Sequence, residues 1–233
     1  MQSHAQAVVI GGGVVGCSVL YHLTKAGWTD VVLLERSELT SGSTWHAAGG
    51  MHTINGDPNV AKLQQYTIGL YNEIEQLSEQ SIGLHLTGGV FLAATNERFD
   101  WLKSMHAKGH YLGMDTEIIS PKEAADIFPL LDPNKFVGAM SDPLEGHLDP
   151  SGTTWAYAKA ARKNGGVIHQ QTRVTDLRQN QDGSWRVITE QGEIHTEHVV
   201  NAGGLWAREV GRMVGLELPV LAMEHMYLLT EDM

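Results

Sequence analysis

Two short runs near the N-terminus, residues 5–10 (AQAVVI) and 31–35 (VVLLE), are almost continuously apolar. That pattern belongs to strands covered on both faces. Between them, residues 14–26 read as a helix that opens from a glycine-rich turn at 11–16. A strand–helix–strand order predicts a parallel pair joined by a right-handed crossover. Residues 37–58 carry no period and are rich in Gly, Ser, Thr and Ala. A loop of that length inside a compact domain usually carries function.

A helical period returns over 60–80, where Val60, Leu63, Tyr66, Leu70, Ile74 and Leu77 would share one face. Strands are expected over 84–94 (kinked at Gly88 and Gly89), 116–119 and 136–140, and a helix over 97–112. Ser120-Pro121 starts another helix, with proline at its first position. Asp149-Pro150 opens one running to about residue 164, in which Ala156, Ala158, Ala160 and Ala161 permit close packing. Strands over 167–177, 185–189 and 193–200, a glycine turn at 201–204, a helix over 205–214 and a last strand over 221–230 complete the reading. The expected class is α/β. A nucleotide-binding domain is drawn from 1–59 and 148–233, and a smaller α+β substrate lobe from 60–147.

The 233 residues, 42% of them hydrophobic, suffice for one sizeable core or two small lobes. Apolar runs are too short to span a bilayer, and few residues precede the first strand. A soluble, intracellular protein is expected: cytoplasmic, or in the mitochondrial matrix of a eukaryote after processing. A net charge of −11 and the lack of a basic stripe argue against nucleic acid. Cys17 is the single cysteine, so no internal disulfide or thiolate cluster is expected, and it reads as a small packed residue. His106 and His110 lie four apart without further ligands, so they read as a solvated helix face and no metal is expected.

Gly11-x-Gly13-x-x-Gly16 follows a strand and opens a helix, and an acid, Glu35, ends the next strand. Together these predict a Rossmann-type dinucleotide fold. Gly11 allows the tight turn, Gly13 a close approach to pyrophosphate, and Gly16 the packing of helix on strand. The amides of Val14 and Val15 would face the phosphates from the positive helix end. Glu35 would accept hydrogen bonds from ribose hydroxyls and repel a 2′-phosphate; it does not separate NAD from FAD.

Residues 39–50, LTSGSTWHAAGG, make that separation. With the N-terminal fingerprint, they resemble the dimethylglycine and sarcosine dehydrogenases, within the D-amino-acid-oxidase-like flavoproteins. The likeness continues through Gly146-His147-Leu148-Asp149-Pro150, residues 200–207 (VNAGGLWA) and Glu224-His225-Met226-Tyr227. It implies FAD held covalently by His46 through the 8α-methyl carbon. Glu35 and Arg36 would meet the adenosine end. Gly42, Ser43, Thr44, Trp45, His46, Ala47, Ala48, Gly49 and Gly50 would wrap the pyrophosphate, ribityl chain and flavin edge. A backbone group of Val174 would contact adenine, and Trp206 would lie in the turn returning to the cofactor. His225 and Tyr227, on one face of the last strand, would stand near the substrate, with His225 handling the amine proton.

The implied reaction is oxidation of a small N-methyl amine, a hydride equivalent passing from the N-methyl carbon to flavin. The acceptor would be an electron-transfer flavoprotein or oxygen. Relatives of this kind add a folate-binding region that this chain lacks, and their flavin domain closes with later strands, so a truncated polypeptide is expected. Two rival readings remain: a non-catalytic FAD-binding fragment or subunit needing a partner, and a noncovalent amino-acid oxidase of the same fold.

Overall fold

The computed structural model describes residues 1–228, 230 and 231. In chain order the elements are β1 (His4–Ile10), α1 (Val14–Lys25), β2 (Val31–Leu34), β3 (Gly50–Met51), α2 (Pro58–Ser78), β4 (Gly89–Ala93), α3 (Asn96–Tyr111), β5 (Glu117–Ile119), α4 (Pro121–Ile127), β6 (Gly138–Asp142), β7 (Gly146–His147), α5 (Pro150–Lys163), β8 (Val167–His169), β9 (Val174–Gln179), β10 (Trp185–Thr189), β11 (Gly192–Asn201) and α6 (Ala207–Arg212). They fall into two compact units, one from Met1–His46 with Tyr157–Met233, the other Ala47–Ala156.

The first unit holds a six-stranded sheet in the order β8-β2-β1-β11-β10-β9. The first four strands are mutually parallel, and β9 and β10 add an antiparallel edge. Val8, Ile10, Val32 and Leu34 share a core with Val174, Leu177, Val187, Ile194 and Val210. The alternate residues Ala7, Val9, Val31 and Leu33 are buried too. With both faces covered, β1 and β2 need apolar residues at every position, hence their unbroken runs. The alanines of α5, Ala158, Ala160 and Ala161, are all buried.

Two strand expectations change in this unit. Residues 167–177 form two strands, β8 and β9, at opposite edges of the sheet. The break lies where Gln171 takes φ +53 and the Thr172 amide donates to the Glu35 carbonyl at 2.8 Å. The chain hooks onto the end of β2 there, which apolar alternation does not signal. Of the last expected strand, residues 221–228 and 230 have no strand structure, and Leu229 lies outside the described residues. No strand among the described residues pairs with this stretch, and Leu221, Met226, Tyr227 and Leu228 are exposed.

The second unit has a three-stranded antiparallel sheet, β4-β6-β5, and a two-stranded one, β3-β7. Helix α2 starts where the Asp57 carboxylate accepts the Asn59 and Val60 amides, with Pro58 in the first turn. Of its expected face Leu70 and Ile74 are buried, together with Ala61, Ile68 and Ser78, whereas Val60, Leu63, Tyr66 and Leu77 are exposed. Ile68 packs with Met51 and Leu148. The strand expected over 84–94 begins at Gly89, after Gly88 at φ +74; upstream, His85 makes an isolated bridge to His147. Helix α4 has the full capping box, Ser120 with Glu123. Among the described residues no helix is long and apolar enough to cross a membrane.

Candidate cofactor site

In the first unit β2 and β11 flank β1, and Ile10 lies beside Asn201 at the carboxyl ends. The chain leaves β1 through α1 toward β2, while β11 arrives on the other side. Open α/β sheets bind ligands in the crevice at such a switch point. Gly11, at φ +111, has no room for a side chain: a Cβ would stand 2.3 Å from the Ala202 carbonyl oxygen. A Cβ on Gly16 would stand 1.9 Å from the Gly11 carbonyl oxygen. These two glycines let the turn after β1 meet the turn after β11, and let α1 start directly against it. The Asn201 side chain holds the second turn, accepting the Gly203 amide at 3.1 Å and donating to the Ala207 carbonyl at 2.8 Å.

The N-terminus of α1 is capped by Gly13, which offers no side-chain bond, and the first turn contains no acid. Its positive end is therefore uncompensated from within the helix. The loop after β2 is strapped across this end. Thr40, at φ 75, donates its amide to the Gly12 carbonyl at 3.0 Å, and the Leu39 amide donates to Gln170 Oε1 at 2.8 Å. Thr44 Oγ1 accepts the Val14 amide at 3.1 Å. The Val14 amide, expected to face the phosphates, here donates to the loop that straps the helix end. Val15, at the same turn, is 63% exposed.

Glu35 is buried, and each carboxylate oxygen takes a backbone amide: Gly12 at 2.6 Å and Ser37 at 2.8 Å. It clamps the glycine turn to the end of β2, a role spacing alone did not reveal. Each oxygen keeps lone-pair capacity for a ribose hydroxyl. The Arg36 guanidinium lies 3.6 Å from the centre of the Trp206 ring. A Cβ on Gly42 would meet that ring at 3.5 Å, so Arg36, Gly42 and Trp206 come together although the sequence separates them widely. Thr44–His46 form a single 3-10 turn that exposes Trp45 and His46, their rings 3.8 Å apart. The Val174 side chain is buried in the core, so only its backbone is free for a ligand role. Cys17 is buried, and burial first, then the Glu35 charge, pushes its thiol up to about 12. It is no nucleophile.

In the second unit, Ala47 and Ala48 are exposed, and Gly49, at φ +76, has a packing reason of its own. A Cβ there would stand 2.0 Å from the Leu148 carbonyl oxygen. Gly50 pairs with His147, and Met51 with Gly146. The small-residue segment and the Gly-His-Leu-Asp-Pro segment are two sides of one ladder.

That register also joins residues the sequence reading missed. His52 Nδ1 lies 2.6 Å from Glu145 Oε2, and the Thr53 hydroxyl donates to the buried carboxylate of Asp142. Burial raises the Glu145 carboxyl above the ordinary range; the bond to His52 opposes this. The only sequence signal was the strand register, which pattern reading does not supply. His106 and His110, expected to be solvated, both bond to Thr116. His225 and Tyr227 sit on the exposed segment without strand structure, so alternation places them on no common face. Among the described residues no cluster could hold a metal ion.

A glycine-capped helix end, a strapped loop and a buried acid at the strand ends fit a dinucleotide cofactor. The FAD dependent oxidoreductase (DAO) family matches residues 6–233. The chain belongs to this family. Within it, the chain is 42% identical over 229 residues to the mitochondrial dimethylglycine dehydrogenase of Rattus norvegicus, covering 98% of this chain and 27% of that protein. It is 38% identical over 240 residues to the mitochondrial sarcosine dehydrogenase of Homo sapiens, covering 99% and 26%. Among solved structures, L-proline dehydrogenase from P. horikoshii superposes with a TM-score of 0.86 at 29% identity, covering 93% of this chain and 57% of that one. The chain therefore spans about a quarter of the length of these curated relatives.

Proposed function

We propose that this chain is the FAD-holding part of an enzyme that oxidatively demethylates a methylated glycine, of the dimethylglycine or sarcosine type. The observation that carries the reading is the 42% identity to dimethylglycine dehydrogenase across nearly the whole chain. The strapped cradle at the ends of β1 and β11 supports it. Gly11, Gly13, Val15 and Gly16 would hold the pyrophosphate, and Glu35 and Arg36 the adenosine end, beside Trp206 and the backbone of Val174. Residues 42–50 would follow the ribityl chain to the ring, with His46 as the covalent anchor. FAD, when bound, supplies the two-electron oxidation; the protein orients the amine and excludes water. Electrons would pass on to an electron-transfer flavoprotein or to oxygen. In a eukaryotic source the enzyme would work in the mitochondrial matrix, otherwise in the cytoplasm.

The test uses the full-length protein. Flavin should remain with the polypeptide after acid precipitation, and His46→Ala should make it releasable while the fold persists. Dimethylglycine and sarcosine should be turned over in preference to unmethylated amino acids. Flavin that washes off the denatured wild type removes His46 as anchor and favours a noncovalent amino-acid oxidase. A flavoprotein that oxidises no amine overturns the enzymatic reading.

A further inference from the structure

The loop of the first unit that carries His46 is fastened by contacts to which no role has yet been given. Helix α1 runs twelve residues from Val14 to Lys25, and its N-cap, Gly13, forms no side-chain bond. The cap comes instead from thirty positions on, where Thr44 Oγ1 accepts the Val14 amide at 3.1 Å. A Cβ on Gly13 would stand 3.0 Å from that oxygen, so the glycine also leaves room for it. Thr44 opens the single 3-10 turn whose last residue is His46. The His46 amide donates to the Ser43 carbonyl at 3.2 Å, and the Trp45 amide to the Thr40 carbonyl at 3.4 Å. Thr40 ties the loop to the same helix start, its own amide donating to the Gly12 carbonyl at 3.0 Å. All of these residues lie in one unit.

Thr40 takes φ 75, a left-handed conformation that a β-branched residue avoids. Such strain persists only where the surroundings over-determine it, and it gathers at functional sites. A helix whose first amides lack an acceptor gains from any hydroxyl brought to it, but a serine or threonine at residue 13 would serve without a loop. Capping from the loop does something more: it fixes the loop. His46 is exposed, so no packed shell holds its imidazole. What holds it is a turn pinned two residues away, with the Trp45 ring centre 3.8 Å from its own.

We propose that Thr44 is the positioning residue for covalent attachment of the cofactor. Its bond to Val14 holds the His46 turn against the start of α1, so the imidazole is in place before the covalent bond is made. The inference rests on the functional reading above, in which His46 is the anchor. In the attachment, His46 forms a C–N bond to the 8α carbon and gives up its N–H proton, while one C–H bond of that methyl group breaks. The two electrons released pass to molecular oxygen, which takes up the two protons and leaves as hydrogen peroxide. Thr44 takes no part in that exchange. It reduces the freedom that the imidazole must lose to meet one carbon atom.

The experiment uses the full-length protein, freed of flavin by expression under riboflavin limitation and then incubated with saturating FAD in air. Flavin that survives acid precipitation, followed in time by absorbance and by the mass of the polypeptide, gives the attachment rate. Saturation removes differences in affinity. Thr44→Val keeps the shape of the side chain and loses the oxygen. Its attachment rate should fall about tenfold to a hundredfold, the scale of a misplaced reacting group. Thr44→Ser keeps the hydroxyl and should keep the wild-type rate. A second measurement needs no variant to fold. In the flavin-free wild type the Val14 amide, which has no acceptor inside its own helix, should still be protected from hydrogen exchange, read by mass spectrometry of overlapping peptides. An unprotected Val14 amide, or Thr44→Val attaching flavin at the wild-type rate, overturns the proposal and leaves His46 as the anchor. Thr44→Ser as slow as Thr44→Val overturns it too, because the hydroxyl bond would then not be the cause. Wild type that keeps no flavin through denaturation overturns both readings.

Discussion

Two buried glutamates, one in each unit, make the clearest contrast in the molecule. Glu35 has each of its oxygens bonded to a backbone amide, Gly12 and Ser37. Glu145 has one oxygen on an exposed imidazole, and the Thr53 backbone also acts on the carboxylate. The first is a fastener between the glycine turn and β2, paired with groups that cannot move or titrate. The second is paired with a group that can take up a proton. Burial alone therefore does not say how an acid is held; the identity of the partner does.

The largest expected effect sharpens the structural side. Gly16→Val would put a branched side chain where even a Cβ meets the Gly11 carbonyl at 1.9 Å. It should cost several kcal/mol, on the scale of overpacking with backbone shift. Little soluble flavoprotein should be recovered; a normal yield of yellow protein would show that the turn relaxes freely. Next, Glu35→Ala leaves the Gly12 and Ser37 amides without their acceptor and should weaken FAD binding by about 1–3 kcal/mol. A titration of apoprotein with FAD measures it, and unchanged affinity would reduce Glu35 to a surface-like acid.

Glu145→Gln should behave in the opposite sense. Burial, the largest influence, raises the Glu145 carboxyl, so the folded state holds the proton more tightly than the unfolded chain does. The stability this gives is complete at low pH and is lost as pH rises through the folded value. Glutamine stays neutral and avoids that loss. The variant should therefore melt above wild type near pH 8, with the gap closing toward about pH 4. A variant more stable yet slower would mark a residue kept for chemistry. A lower melting temperature at every pH would make Glu145 another fastener like Glu35. The smallest effect belongs to Trp206→Leu, which removes the Arg36 stacking at 3.6 Å. About 0.5–1 kcal/mol of stability should be lost, the range for an exposed cation–π pair, measurable by thermal melting.

The first unit was largely legible because its constraints are local. A covered strand must be apolar at every position, and a tight approach must be glycine, so β1, β2, Gly11 and Gly16 announce themselves. What stayed hidden depends on partners far away in sequence. Thr44 capping Val14 and Arg36 on Trp206 require knowing how the loops fold back. The same holds for His52 and Glu145, ninety-three residues apart. Residues 221–228 and 230 depart from the expected strand for the converse reason: their composition suits a strand, but a strand exists only with a neighbour to bond, and none among the described residues pairs with them.

The order of the sheet also bears on how the polypeptide is made. β1 sits between β2 and β11, and the Thr196 hydroxyl reaches the Gln6 carbonyl across 190 residues. On the ribosome, β1 and β2 emerge before the second unit, as two apolar strands whose shared sheet cannot close until β11 is synthesised. The second unit, Ala47–Ala156, is contiguous and has all its strands before then. The first unit is thus begun before the second and closed after it, and its nascent strands spend the interval as open, adhesive edges. Assembly of this fold is late-closing, and substitutions that slow β11 should be felt as poor yield before they are felt as poor catalysis.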